Sequence, residues 1–421
     1  MKLVIAKTLL EQELGSICSV LTKGSIIDPG RYIIMKATQE GLGLLVSRND
    51  LMAVAMIPAT TGFLEIETPG ECALDGNFLL KVLQTSVLED KLTLEFFAIG
   101  KDEDSLLEND EEAIPEADAQ NGSKTSDRIN KKGGTLKGAF KTSEETFTIQ
   151  TVEWSKNQEL VIPTGTTVTT AGQDFIGLVK RVGVAAGDNK LDSDHTNIFV
   201  RGKESVLDLV TKTTTQLAWA KAPAVVQAEC EIVVPYHLLK EISGMLSADS
   251  LDLVVVEKSG DAPKGLFLRQ KAAFGTVTSI RLARICGTGI KFGAFETRLG
   301  QLDFSRKCLF SRTALKRVCD GLDLFQRVRT KISFDPVSDN KKISFSKKEA
   351  HSVLKLLSLD SASGEPIELD ASSKHFKQIV SVCDEDVLRI EFSGKESLMM
   401  VGILDQNEEK YSRFRCFFMP F

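Results

Sequence analysis

At 421 residues the chain is long enough to bury a large core and to hold about three domains of ordinary size. An apolar content of 42% and a charged content of 26% are those of a soluble globular protein and exclude a collagen-like or wholly disordered chain. The net charge of −6 is spread unevenly, and the eight Cys show neither paired nor metal-type spacing, so they read as reduced, mostly buried thiols of a cytosolic protein.

In chain order, MKLVIAK opens with an apolar run too short for a signal peptide, and no later segment could span a bilayer, so no membrane partner is expected. A helix is predicted over Lys7–Gly15 and a second over Asp75–Ser86, where Leu79, Leu80 and Leu83 fall at helical spacing. Beyond a short acidic turn, Leu92, Leu94 and Phe96 alternate with polar residues as a half-buried strand that ends near Ala98. Residues 101–118 then carry nine acids against one Lys, and the polar stretch that follows lacks periodicity. The segment of about 101–133 is expected to be a disordered insertion between that strand and one starting near Leu136. It is read either as a solvated loop without a role or as a DNA-mimicking tail for a basic surface. Further helices are predicted over Gln173–Gly183, Pro235–Leu246, Ser311–Gly321 and Ser372–Ser381. GKES at Gly202 and again at Gly394 lies between apolar runs and reads as a hairpin turn.

One unit of this pattern occurs three times. Lys81, Lys240 and Lys377 correspond, as do Leu83, Ile242 and Ile379, then Asp90, Asp249 and Asp386, then Leu92, Leu251 and Leu388. The offsets are 159 and 137 residues at both ends of the unit. A second element, Phe175–Gly183, matches Thr313–Gly321 through Lys180/Lys316 and Arg181/Arg317, and matches Leu10–Cys18 more weakly. A period near 140 residues is domain-sized. The expected architecture is α+β: three copies of one domain, each with two helices backed by antiparallel strands.

Chemistry is sparse. There is no G-x-x-x-x-G-K-[ST] loop and no G-x-G-x-x-G after a strand. No Ser or Cys sits in a nucleophile elbow. The four His, at 195, 237, 351 and 375, have no ligand-like spacing. No cofactor, metal site or catalytic residue is expected. A triplicated domain presents similar faces, which suits a surface that repeats around something.

The whole chain except about 101–133 resembles the bacterial and phage-type sliding clamps, the beta subunit of DNA polymerase III. MKLVIAKTLL is similar to that family's first strand and helix, and Ser47–Val54 (SRNDLMAV) to a strand and turn of its first domain. Phe325–Phe334 (FQRVRTKISF) resembles the start of its third-domain sheet, and the terminal FFMPF its closing segment. The resemblance implies domains over 1–157, 158–292 and 293–421. It implies a head-to-tail homodimeric ring around double-stranded DNA, with helices lining the hole, that tethers a polymerase and is not an enzyme. Such a hole needs cations that meet phosphates without reading bases. The candidates are Lys180, Arg181, Lys240, Lys316, Arg317, Lys374 and Lys377, with Lys81 weaker, and Lys23 and Lys190 in predicted loops. The family docks peptides of polymerase, clamp loader and other partners in an apolar pocket. The matching positions here include Lys212, Thr214, Leu217, Phe325, Met419, Pro420 and Phe421. KTTTQL (Lys212–Leu217) departs from the family's usual T-D-G-H-R-L, and Ala371 and Lys374 stand where Asn and Tyr are common, so the peptide preference is expected to differ. The location implied is the cytoplasm, at the replication fork. Two other readings stay open at the level of sequence: a scaffold protein with triplicated domains, such as a virion component, and an enzyme whose site is assembled from loops.

Overall fold

The structure is a computed structural model. It describes residues 1–21, 31–85, 90–98, 136–141, 146–152, 164–186, 197–213, 216–247, 249–256, 265–272, 275–282, 306–323, 330–335, 342–347, 350–359, 366–371, 373–393, 398–403 and 414–418, together with positions 160, 293, 296–297, 301 and 304. The chain divides into two compact units, Met1–Val161 with Lys271–Ile280, and Ile162–Gln270 with Arg281–Phe421. The insertion at about 101–133 lies outside the described residues. The strands expected on either side of it are present as Lys91–Ala98 and Leu136–Lys141, paired antiparallel.

Six α-helices are described. In the first unit they are α1 (Lys7–Cys18) and α2 (Gly76–Thr85), packed on each other. In the second they are α3 (Gly172–Val182), α4 (Tyr236–Ser243), α5 (Arg312–Asp323) and α6 (Ser373–Val382), where α3 packs on α4 and α5 on α6. All strand pairs that support them are antiparallel among the described residues. In the first unit the ladder runs Leu51–Pro58, Gly41–Ser47, Tyr32–Thr38, Gly70–Asp75, Thr146–Val152, Leu136–Lys141, Lys91–Ala98, Lys2–Ala6, Leu64–Thr68. Alternation is strict where one face is covered: Leu51, Ala53, Ala55 and Ile57 are buried while Met56 is exposed.

The sequence repeat recurs as backbone geometry. Leu83, Ile242 and Ile379 are buried on the inner faces of α2, α4 and α6, and Leu92, Leu251 and Leu388 are fully buried in the strands that follow. The aligned acids close the unit through their main chain. The carbonyl of Asp90 accepts the Lys7 N–H at 2.8 Å, that of Asp249 the Gly172 N–H at 2.7 Å, and that of Asp386 the Arg312 N–H at 2.8 Å. Each of those donors is the first residue of a helix, where an N–H has no intrahelical partner. The strand after the second helix of each copy therefore ties down the start of the first helix. At Gly172 the approach is so close that a Cβ would collide with the carbonyl oxygen of Ser247, which accounts for glycine there.

Local signals behave as their chemistry requires. The first GKES forms a hairpin turn between Asn197–Lys203 and Val206–Lys212, with Glu204 at φ 49° and Ser205 at φ 67°. Two positive φ values in a two-residue loop match the right-handed twist of the flanking strands. The second GKES lies outside the described residues. Asp75 caps α2: one carboxylate oxygen accepts the Phe78 N–H at 3.1 Å and the other accepts Arg31 Nη2 at 2.8 Å. Asp75→Ala is expected to lower stability by about 1–2 kcal/mol, the usual size of a lost cap. A shift of the urea midpoint with an unchanged slope would show it, and no shift would remove Asp75 from that role.

The seven described cysteines are free and buried, as their spacing suggested. Burial pushes the thiols of Cys18, Cys72 and Cys383 up to about 12. No described helix is long and apolar enough to cross a membrane.

Candidate nucleic-acid interface and partner pocket

Helical periodicity decides where the candidate cations point. On α3, Phe175, Leu178, Val179 and Val182 are buried, so Lys180 is left exposed. On α5, Leu315, Val318, Cys319 and Leu322 are buried while Lys316 and Arg317 are exposed. Lys240 is exposed in the last turn of α4, and Lys377 is exposed on α6 opposite Phe376, Ile379 and Val380. In the second unit α3 also touches α6, so the four helices that carry these cations are contiguous. Lys81 is exposed on α2 in the first unit. Lys374 lies on α6, its side chain outside the described set, and Lys23 and Lys190 fall wholly outside the described residues.

Two candidates are held in ion pairs. Arg181 reaches Glu385 at 3.1 Å with only 16% of its side chain exposed, which ties α3 to the turn that follows α6. Lys377 pairs with Asp320 at 3.1 Å across α5 and α6. Arg181, Lys180 and Lys240 also stand in the last turns of their helices, where a cation is favoured by the unsatisfied carbonyls. A structural reason therefore accompanies the functional one at these positions, most fully at Arg181.

The second site grows out of strand register in the second unit. Strands Cys230–Pro235, Asn197–Lys203, Val206–Lys212, Gln216–Pro223 and Phe414–Phe418 are neighbours in that order. The ladder sets Val233 beside Phe199, Phe199 beside Val210, and Val210 beside Trp219. Leu217 lies between Lys212 and Phe417. Phe199, Val210, Leu217, Trp219 and Phe417 form one buried cluster, against which Val233 and Phe304 pack. The Phe304 ring lies 6.1 Å from that of Phe417, inclined at 51°. By the two-residue period of a strand this row shares one face, while Leu209, Ala218 and Ala220 are buried on the other.

One step along the same strands the row turns ionic. Glu231, Arg201, Asp208 and Lys221 stand side by side in the ladder. Arg201, 4% exposed, gives two hydrogen bonds to Asp208 Oδ2, at 3.0 and 2.7 Å. It gives two more to Glu296, at 3.2 and 2.7 Å. The Trp219 indole N–H donates to the other oxygen of Asp208 at 2.9 Å, and Lys221 Nζ sits 4.1 Å over the Trp219 ring and 3.6 Å from Asp208. The bonds from Arg201 hold the Glu296 carboxyl below its usual range, whereas burial raises that of Glu231. A buried guanidinium held by four hydrogen bonds gives a rigid edge to the apolar row beside it.

Of the pocket residues expected from sequence, Leu217 is in the cluster and Lys212 is exposed at its edge. Thr214, Phe325, Met419, Pro420 and Phe421 lie outside the described residues. Phe199, Val210, Trp219, Phe304 and Phe417 were not singled out by sequence. NIFVR, VLDLVTK and LAWAK are near-continuous apolar runs, the mark of strands buried on both faces, so nothing local shows which face is covered by a distant Phe.

No protein-family model matches the chain, and no curated protein matches it by sequence. Solved structures do match it over its full length. The beta subunit of DNA polymerase from Streptococcus pyogenes aligns with a TM-score of 0.74 at 13% identity, covering 100% of both chains. The DNA polymerase sliding clamp of Bacillus subtilis aligns with a TM-score of 0.74 at 15% identity, covering 100% of this chain and 99% of that one. The Helicobacter pylori beta clamp bound to a DNA ligase peptide aligns with a TM-score of 0.70 at 14% identity, covering 100% of both. Three tied strand–helix units, six helices and antiparallel sheets aligned end to end with these proteins give this chain the fold of the DNA polymerase III beta subunit, the DNA sliding clamp.

Proposed function

We infer that the chain is a DNA sliding clamp that encircles duplex DNA and tethers a replicative polymerase at the fork, in the cytoplasm. The observation that carries this reading is the threefold unit itself: three helix pairs with the same closure, each offering Lys on its exposed face. Such a layer attracts phosphates without reading bases, which is what free sliding requires. The reading assigns the protein no catalytic step. Its three domains are proposed at 1–157, 158–292 and 293–421. Lys180, Lys240, Lys316, Arg317 and Lys377 are the proposed lining, with Arg181 chiefly a tie between α3 and Glu385. Leu217 and the apolar row around it are the proposed dock for polymerase, clamp loader and other partner peptides. The ligase peptide on the Helicobacter pylori clamp supports a peptide ligand for such a surface.

A ring needs a second copy. Two exposed apolar side chains favour a head-to-tail homodimer: Phe78 on α2, 49% exposed, and Val353, 47% exposed, on the outermost strand of a four-stranded sheet, Ala350–Lys355. An unpaired edge of this kind is ordinarily covered. Sedimentation at micromolar concentration is expected to give twice the chain mass. The loaded protein is expected to stay on nicked circular DNA and to run off the same DNA once it is cut. A monomer at all concentrations, or equal loss from circle and line, would exclude the topological clamp.

A further inference from the structure

The apolar row already has an occupant from the same chain. Glu296 and Phe304 belong to the connection between α4's domain and α5's, and both are fixed on the sheet that holds Leu217. Glu296 is clasped by Arg201 through two hydrogen bonds, and Phe304 rests on the cluster with its ring against Phe417. The two anchors are eight positions apart and grip adjacent rows of one sheet, one ionic and one apolar. A partner peptide that reaches Leu217 and Phe417 competes with Phe304 for the same surface.

We propose that Phe304 is an internal competitor of the partner pocket. Glu296–Arg201 is the clasp that keeps it in place, and an incoming peptide with an aromatic side chain gains access by displacing it. This rests on the reading of the Leu217 row as a partner dock. The regulation follows from population arithmetic. A site open only a fraction of the time binds its ligand more weakly by that fraction, so removing the occupant raises affinity without adding a contact. The displaced ring also fixes the chemistry of the ligand, because the surface it leaves belongs to the apolar cluster of Phe199, Val210, Leu217, Trp219 and Phe417 and suits a flat apolar group.

The chain supplies its own probe. A fluorescein-labelled peptide with the sequence of residues 296–304, ETRLGQLDF, is titrated against the full-length protein by anisotropy. The parent is expected to bind weakly, and Phe304→Ala about tenfold more tightly, the gain for a pocket open about a tenth of the time. Glu296→Ala is expected to tighten binding by a smaller factor. Because it leaves the apolar row intact, it carries the test if Phe304→Ala loosens the fold. A peptide ending in Ala in place of Phe, or Leu217→Ala in the Phe304→Ala background, is expected to lose the gain. Equal affinity of parent and both variants, or no binding by any of them, would overturn the competitor. Retention on nicked circles is measured in parallel. If it fails while Phe304→Ala still tightens the peptide, the clamp reading falls and self-occupancy of the row stands. If retention holds without tightening, the reverse is true.

Discussion

Asp208→Ala is expected to cost about 3–5 kcal/mol of stability, the largest effect of any single substitution considered for this protein. Asp208 is 2% exposed and accepts hydrogen bonds from Arg201 and from the Trp219 indole, with Lys221 close by. Its removal takes the two bonds at 3.0 and 2.7 Å from a 4% exposed guanidinium, which keeps those to Glu296, and takes the acceptor at 2.9 Å from a buried indole N–H. Removing half of the compensation of a buried charge costs more than the pair contributes, so the loss exceeds what deleting a surface bridge would give. Asp208→Asn keeps the shape and one acceptor, and is expected to fall between parent and Ala. Urea unfolding followed by Trp fluorescence checks both. A loss under about 1 kcal/mol for Ala would mean the cluster relaxes around the gap.

The second large effect concerns DNA. Replacing Lys180, Lys240, Lys316 and Arg317 together by Ala is expected to leave folding and self-association intact, since all four are exposed on helix faces away from the core. Retention on circular DNA should weaken. The slope of log affinity against log salt should fall by up to about 0.9 for each phosphate contact removed. Arg181 is left out of this set because its pairing with Glu385 gives its loss a second consequence, a loosened contact between α3 and the turn after α6. Arg181→Ala alone is the matching control: if it alone reproduces the whole loss of retention, the lining has been misassigned. An unchanged salt slope in the fourfold variant would take these residues out of contact with phosphate.

The repeat was legible because it is written in local chemistry. Leu83, Ile242 and Ile379 repeat because each is the inner residue of an amphipathic helix, and Asp90, Asp249 and Asp386 mark turns that close the same main-chain hydrogen bond, although that bond does not itself require Asp. Both need only residues within one unit of about 140 positions. The positive φ values at Glu204 and Ser205 were legible for the same reason, since GKES between apolar runs is a turn by its own composition. The apolar row was legible only in part. Leu217 was reached through resemblance, whereas Phe304 on Phe417 joins residues 113 positions apart, and Arg201 meets Glu296 across 95. Such pairings follow from how sheets assemble and have no period to read. The same holds for Arg181 and Glu385, separated by 204 positions. Sequence could place Arg181 on a helix and give its sign, but not show that an acid from another part of the chain had already claimed it.

The sealed thiols make the protein its own clock. A thiol pushed up to about 12 and shielded from solvent meets an alkylating reagent only when its surroundings open. Cys18 and Cys72 sit in the first unit, and Cys230, Cys308, Cys319, Cys383 and Cys416 in the second, so each part of the chain carries reporters of its own breathing. The order in which these sites take up label in native buffer would rank local opening across the molecule without one added probe. The first cysteine to react would mark which region yields first.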